Sequence, residues 1–86
     1  MIEKKAMVNA PAGLHSRPCA IICQYAKKHE QIIILHHDGK EANAKNMFKI
    51  MLLGVKQNNE VIIKVEGNDA EYVADELADI ITKIKE

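Results

Sequence analysis

Gly13-Leu14-His15-Ser16-Arg17-Pro18-Cys19-Ala20 marks the point where the first predicted strand gives way to the first predicted helix. Pro18 suits the first turn of a helix, because its missing N–H would have no partner there, so the helix is predicted to begin just before it. Gly13 lets the backbone bend ahead of that turn. His15 then lies where unpaired N–H groups and the positive end of the helix dipole favour an anion. Since Arg17 can add charge-assisted hydrogen bonds, the stretch predicts a phosphate site.

Outward from this stretch, the spacing of apolar residues predicts an orderly alternation of strands and helices. Asp38-Gly39 is a strong hairpin signal between two strands, and Asn46 predicts the cap of a short helix that Gly54 ends. The predicted elements are a strand over 2–8, a helix over about 16–28, strands Ile32–His37 and Lys40–Asn43, a helix from Met47 to about Leu53, a strand Glu60–Glu66 and a final helix after residue 69.

Two helices carry apolar stripes, and each stripe needs an apolar sheet face to pack against. Asn68-Asp69-Ala70-Glu71, just before the second of these helices, resembles a capping box. The element order is βαββαβα, which a four-stranded antiparallel sheet with three helices packed on one face satisfies. The sequence therefore predicts an α+β fold in one domain over residues 1–86. The sheet face opposite the helices is predicted to be partly exposed to solvent. The stripes are Cys19, Ile22, Cys23 and Ala26 in the first helix, and Val73, Leu77, Ile80, Ile81 and Ile84 in the last.

Composition excludes several classes of function. The chain of 86 residues can bury one modest core but not a second lobe with an interdomain cleft. Its 12 Lys and Arg balance 12 Asp and Glu, and aromatic residues make up only 3%, which argues against a nucleic-acid partner. The apolar runs, Ile32–Leu35 among them, are all far too short to span a membrane. Met1–Lys5 leads into no apolar signal core, so we expect a cytoplasmic protein.

Two blocks of sequence carry a resemblance to a known family. Gly13-Leu14-His15-x-Arg17-Pro18, followed by Gly39-Lys40, Ala44-Lys45-x-Met47-Phe48-Lys49 and Leu53-Gly54, resembles HPr, the histidine-containing phosphocarrier family of the bacterial phosphoenolpyruvate:sugar phosphotransferase system. The resemblance covers essentially the whole chain. It implies an open-faced β-sandwich in which His15 takes a phosphoryl group from phosphorylated enzyme I and passes it to the IIA domains of sugar permeases. It also implies a phosphocarrier without a cofactor, rather than a stand-alone catalyst.

The chemistry of the first block agrees with that role. A neutral imidazole nitrogen is a competent nucleophile near neutral pH, and the family resemblance implies that the reactive atom is Nδ1 of His15. Arg17 and the first N–H groups of the helix can neutralise charge on the transferred oxygens. We expect Gly13, Ser16 and Pro18 to shape the loop that contacts the phosphoryl group.

The second block gives the short helix two predicted roles. An apolar stripe after a polar cap is ordinarily core, and Ile50 and Leu53 are assigned to it. In the family, this helix borders the active histidine and forms the apolar centre of the partner-docking face. The resemblance therefore assigns docking to Met47, Phe48 and Met51, with a basic rim of Arg17, Lys27, Lys45 and Lys49.

Two residues depart from the family pattern. Asn46 stands where many HPr proteins carry the serine that a dedicated HPr kinase phosphorylates, and an amide cannot accept that phosphoryl group. Since Asn caps a helix as well as Ser, the fold should not suffer, but regulation through this position is in doubt. Ala12 replaces a polar residue often found before the glycine, which puts the tuning of the phosphohistidine loop in doubt.

The other histidines and the cysteines offer a weaker metal hypothesis. His36 and His37 point to opposite faces of a strand and cannot chelate one ion together, and His29 has no comparable setting. His15, Cys19 and Cys23 recur at four-residue steps on one helix face, as metal ligands could. Because both cysteines also lie on the apolar stripe, buried thiols are the better interpretation, and we expect neither a metal nor a disulfide.

Three alternatives to sugar transport remain. The first is a paralogue in a regulatory, nitrogen-related phosphorelay, with the same histidine chemistry and other partners. The second is a metal-carrying domain of similar topology. Such a domain would require a CxxC pair in the loop after the first strand, where this chain has His15 and Arg17 instead. The third is an adaptor that has kept the fold without transferring phosphate. The presence of His15 and Arg17 argues against it.

Overall fold

The strands and helices follow one another along the chain in the predicted order βαββαβα. The computed structural model describes all residues from 1 to 86. All strand pairs are antiparallel, and the predicted fold class is confirmed. The elements are β1 (Ile2–Met7), α1 (Ser16–Lys27), β2 (Ile32–His37), β3 (Lys40–Asn43), α2 (Met47–Leu52), β4 (Glu60–Glu66) and α3 (Ala70–Lys83), and the sheet order is β1-β4-β2-β3.

The core lies between one face of the sheet and the helices. Val61, Ile63 and Val65 alternate along the central strand β4 and are fully buried, while the residues between them are half-buried on the open face. Across the sheet, Ile33 pairs with Val65, and Leu35 pairs with Ile63. Each such side chain contributes about 1.5 to 3 kcal/mol when fully removed from water.

The two long helices bury the stripes that the sequence predicts, except that Ile80 of α3 is only half-buried. Ile22 and Ala26 of α1 and Leu77 of α3 have no exposed surface. The predicted stripe of α3 runs one residue too far, because the helix ends at Lys83 and Ile84 follows in extended backbone. Ile84 is still only 8% exposed, so it belongs to the core without belonging to the helix. No helix combines the length and apolar character needed to span a bilayer.

A polar contact joins α1 to α3 beside this core. The Tyr25 hydroxyl donates to Glu76 Oε1 at 2.7 Å, and the Tyr72 hydroxyl donates to Glu76 Oε2 at 2.9 Å. These hydrogen bonds, that from Tyr25 first, hold the pKa of the Glu76 carboxyl below its usual value. Lys4 lies opposite Ile63 on the inward face of β1, and its ammonium group pairs with Asp75 of α3 at 3.1 Å. These contacts connect α3 to α1 and to β1.

The predicted capping box at the start of α3 is wrong. The N-cap is Asp69, whose φ of 56° lies in the left-handed region and whose side chain makes no capping hydrogen bond. A capping box needs extended backbone at the N-cap, and this turn does not provide it. Glu71 still places an acidic group in the first turn, where the helix dipole favours one.

Candidate functional site

His15 is the N-cap residue of α1 and lies exposed at the tip of the β1–α1 connection. Its backbone is extended, with φ −89° and ψ −160°, and its side chain makes no capping hydrogen bond. The backbone N–H groups of Ser16 and Arg17 therefore remain free, and Pro18 has no N–H to satisfy. An exposed imidazole stands beside an uncapped, positive helix end, as the sequence predicts.

The loop before His15 is fixed to the segment that follows α2. Leu14 donates its N–H to the carbonyl of Val55 at 3.0 Å, and His15 donates to the carbonyl of Gly13 at 2.9 Å. Gly13 adopts a φ of 71°, and a Cβ added there would overlap the Val55 carbonyl oxygen and lie 2.9 Å from Lys56 Cα. Only glycine fits this close approach in a left-handed conformation, so Gly13 sets the position of His15.

Arg17 has a partner that sequence reasoning missed. Its Nη1 donates to Glu86 Oε2 at 3.3 Å, although the Arg17 side chain is still 72% exposed. Nothing in the sequence indicates that the C-terminal residue returns to the start of α1, because the two residues lie 69 positions apart. The guanidinium is thus tethered loosely at the helix end. Exposed pairs of this kind are weak, so an incoming anion can replace the carboxylate.

The two cysteines lie in the core, as predicted. Cys19 donates its thiol to the carbonyl of Leu14 at 3.1 Å, and Cys23 donates to the carbonyl of Lys45 at 3.3 Å. Burial raises the pKa of the Cys19 thiol to about 11, and the neighbouring Cys23 adds to the shift. Cys19 is therefore a neutral thiol that packs the helix. No three His, Cys, Asp or Glu side chains are placed to share one metal ion.

Helix α2 divides into a buried and an exposed face. Asn46 caps it by accepting a hydrogen bond from Lys49 N at 3.2 Å, as predicted. Ile50 and Leu53 are buried, which confirms their assignment to the core. Phe48 is 76% exposed, and Leu52, one helical turn further on, is 69% exposed.

Sequence reasoning missed the exposure of Leu52, although its spacing from Phe48 could have indicated it. Met47 and Met51 pack partly against the core. Lys27 of α1 lies with Lys45, Met47 and Phe48 around a cleft between the two helices. The structure thus brings together four of the residues to which the sequence assigns docking.

Comparison with known proteins points to one family across nearly the whole chain. The family model of the PTS HPr component phosphorylation site matches residues 2–83. The chain belongs to the HPr family of phosphocarrier proteins.

HPr proteins of several bacteria resemble it over all or nearly all of their length. The phosphocarrier protein HPr of Buchnera aphidicola subspecies Baizongia pistaciae is 36% identical over 85 residues, covering 99% of this chain and 100% of the relative. That of Borreliella burgdorferi is 35% identical over 86 residues, covering 100% of both. The crystal structure of HPr from Bacillus anthracis strain Ames matches with a TM-score of 0.87 and 34% identity, over 93% of this chain and 95% of that one.

Proposed function

We propose that this HPr-family chain accepts a phosphoryl group on His15 from phosphorylated enzyme I and passes it to the IIA domains of sugar permeases. The observation that carries the proposal is the exposed imidazole of His15 at an uncapped helix start, with Arg17 beside it. Residues 1–86 act as one carrier domain, and enzyme I and the IIA domains meet it in the cytoplasm. The reaction needs no cofactor, because the imidazole is itself the acceptor.

The transfer is a displacement at phosphorus. The lone pair of His15 Nδ1 forms the new N–P bond as the bond between phosphorus and the donor breaks, and the donor keeps that electron pair. The free N–H groups of Ser16 and Arg17 stabilise the charge on the phosphoryl oxygens, since both stand at the positive helix end. Gly13 and Pro18 hold the loop and the first turn in that arrangement. The chain thus supplies a nucleophile and fixed dipoles, and its partner supplies the activated phosphoryl group.

Arg17 changes partner during this step. In the free protein its guanidinium pairs with Glu86, and both side chains are exposed. A phosphoryl group on His15 carries about two negative charges and offers several acceptor oxygens, so it outcompetes a single exposed carboxylate. Arg17 then stabilises the phosphorylated state. When its guanidinium returns to Glu86, this stabilisation is lost, which favours departure of the phosphoryl group.

The docking surface is centred on α2 and extends to neighbouring cations. We define it as the α2 residues Met47, Phe48, Met51 and Leu52 together with Arg17, Lys27, Lys45 and Lys49. Exposed apolar residues with a rim of like charge are the usual composition of a transient interface. Lys27, Lys45 and Lys49 make no ion pair within the chain. They remain available to acidic groups of a partner.

Phe48→Ala tests the docking surface. We expect it to weaken enzyme I binding by about 1 to 3 kcal/mol, as loss of a central aromatic anchor does. It should cost little stability, because the ring is 76% exposed. A buried ring would instead cost about 3 to 5 kcal/mol of unfolding free energy. The measurements are titration with enzyme I and thermal melting.

Ile32→Ala is the matched control, because Ile32 is also an exposed large apolar residue but lies on the open sheet face. It should leave enzyme I binding unchanged. A Phe48→Ala variant that melts at a much lower temperature yet binds enzyme I normally would show that the ring stabilises the core and does not contribute to docking. That result would contradict the proposed surface.

Asn46→Ser tests the loss of serine regulation. Incubation with ATP and an HPr kinase should leave the wild-type chain unmodified, because an amide offers no hydroxyl group, whereas Asn46→Ser should gain one phosphoserine. Ser16 and Thr82 are the only other Ser and Thr residues in the chain, so peptide mass spectrometry assigns any product. Phosphorylation of the wild-type chain at Ser16 would show that the regulatory input has moved, and would contradict its loss.

A reconstituted relay tests the whole proposal. Phosphoenolpyruvate, enzyme I, this chain and a sugar-permease IIA domain are combined, and the phosphorylated IIA domain is measured with each component omitted in turn. We expect transfer only in the complete mixture. Transfer to a IIA protein of the nitrogen-related branch, with none to the sugar IIA domain, would replace sugar uptake with the regulatory relay.

A further inference from the structure

A cleft of about 390 Å³ opens between α1 and the start of α2. Cys23, Met47 and Phe48 contribute apolar surface to its lining, and Phe48 is largely exposed. This volume falls within the roughly 300 to 1,000 Å³ that is usual for small-molecule sites. The cleft is large enough for a compact organic molecule.

The charges around the cleft all have one sign. Lys27 and Lys45 line it, and no acidic residue does. Neither lysine makes an ion pair within the chain, so both side-chain charges lack a counter-charge at the cleft. Gln24 and Asn46 add neutral amide groups to the wall. Asn46 Oδ1 is occupied by Lys49 N, which leaves the Asn46 amide hydrogens free to donate.

We propose that this cleft binds a small phosphate monoester with an apolar body, and that the bound ligand competes with partners for the docking surface. A phosphate monoester carries about two negative charges near neutral pH, which matches the two unpaired lysines. The apolar body packs on Met47 and Phe48. Because Phe48 belongs to both the cleft and the docking surface, the ligand and a partner cannot occupy it together. The competition rests on the proposed function, whereas the binding itself does not.

The binding test uses phenyl phosphate as the probe, followed by amide chemical shifts of the ¹⁵N-labelled chain. We expect saturable shifts centred on Gln24, Lys27 and Lys45. Inorganic phosphate, which lacks the apolar body, should bind at least about tenfold more weakly, and phenol, which lacks the charge, should not saturate. An Arg17→Ala variant should bind the probe like wild type, which separates the cleft from the anion site beside His15.

Charge reversal provides matched variants. Lys27→Glu should weaken probe binding by about tenfold, an effect that added salt reduces. Lys28→Glu makes the same charge change at an exposed position that does not line the cleft, and it should leave binding nearly unchanged. Equal weakening by the two variants, shifts centred on Ser16 and Arg17, or no saturation at all would overturn the site.

The competition has its own readout. Saturating phenyl phosphate should slow phosphorylation of the wild-type chain by enzyme I, and Lys27→Glu should be less sensitive to the probe than Lys28→Glu. Saturable binding in the cleft with an unchanged rate of phosphorylation would overturn the competition. Since the binding arm contains no phosphotransferase partner, a failure of the proposed relay leaves its result interpretable.

Discussion

His15→Ala is expected to abolish phosphorylation by enzyme I and phosphoenolpyruvate while leaving the fold intact. The substitution removes the only imidazole at the helix start, and the free N–H groups of Ser16 and Arg17 cannot accept a phosphoryl group by themselves. His15 is exposed and makes no capping hydrogen bond. Its loss should therefore change the unfolding free energy by no more than about 0.5 kcal/mol. The measurements are intact mass after incubation and thermal melting.

His36→Ala is the control for this experiment. His36 lies on the open sheet face, where its Nδ1 contacts Glu41 at 3.2 Å, so it is remote from the helix start. This variant should gain one phosphoryl group as the wild type does. Phosphorylation that persists in His15→Ala and disappears in His36→Ala would move the acceptor to the sheet face and refute the assignment of His15.

Gly13→Ala is expected to destabilise the protein and displace the His15 loop. A left-handed backbone costs a residue with a Cβ about 1 to 2 kcal/mol. The overlap of the new Cβ with the Val55 carbonyl adds to that cost and disturbs the hydrogen bond from Leu14 that anchors the loop. For a domain of this size, each kcal/mol lowers the melting temperature by about 4 to 8 °C. Melting and the rate of phosphoryl acceptance should both fall.

Gly39→Ala separates the cost of the left-handed backbone from the cost of the overlap with Val55. Gly39 has a similar φ of 78°, but a Cβ there would meet nothing within 4 Å. It should show the backbone cost alone and leave the rate of phosphorylation unchanged. If Gly13→Ala melts no earlier than Gly39→Ala and is phosphorylated at the wild-type rate, the close approach to Val55 has no role in positioning His15.

Local patterns predicted most of the fold because they depend on contacts within each element. The alternation over β4 and the stripes of α1 and α3 indicated their buried faces. Asn46 identified the start of α2 through a hydrogen bond that spans one helical turn. The capping box at Asn68–Glu71 failed because Asp69 adopts a left-handed turn conformation, which four residue identities cannot specify.

The parts of the site that sequence could not predict depend on distant contacts. The pairing of Arg17 with Glu86 needs the chain end to return to α1, and the contact of Gly13 with Val55 needs two loops to meet. The cleft beside Lys27 exists only because α1 and α2 pack together. In contrast, the position of His15 at a helix start could be predicted from sequence, because Gly13 and Pro18 on either side of it favour a turn followed by a first helical turn.

Intact mass of the wild-type chain, after incubation with phosphoenolpyruvate and enzyme I, tests the central claim most directly. Phosphorylation of His15 predicts a gain of one phosphoryl group that survives in base and is lost in mild acid, as expected for a phosphorus–nitrogen bond. An unchanged mass in the presence of active enzyme I would contradict the account. So would a phosphoryl group that is stable in acid, because it would lie on a hydroxyl group such as that of Ser16 rather than on the imidazole.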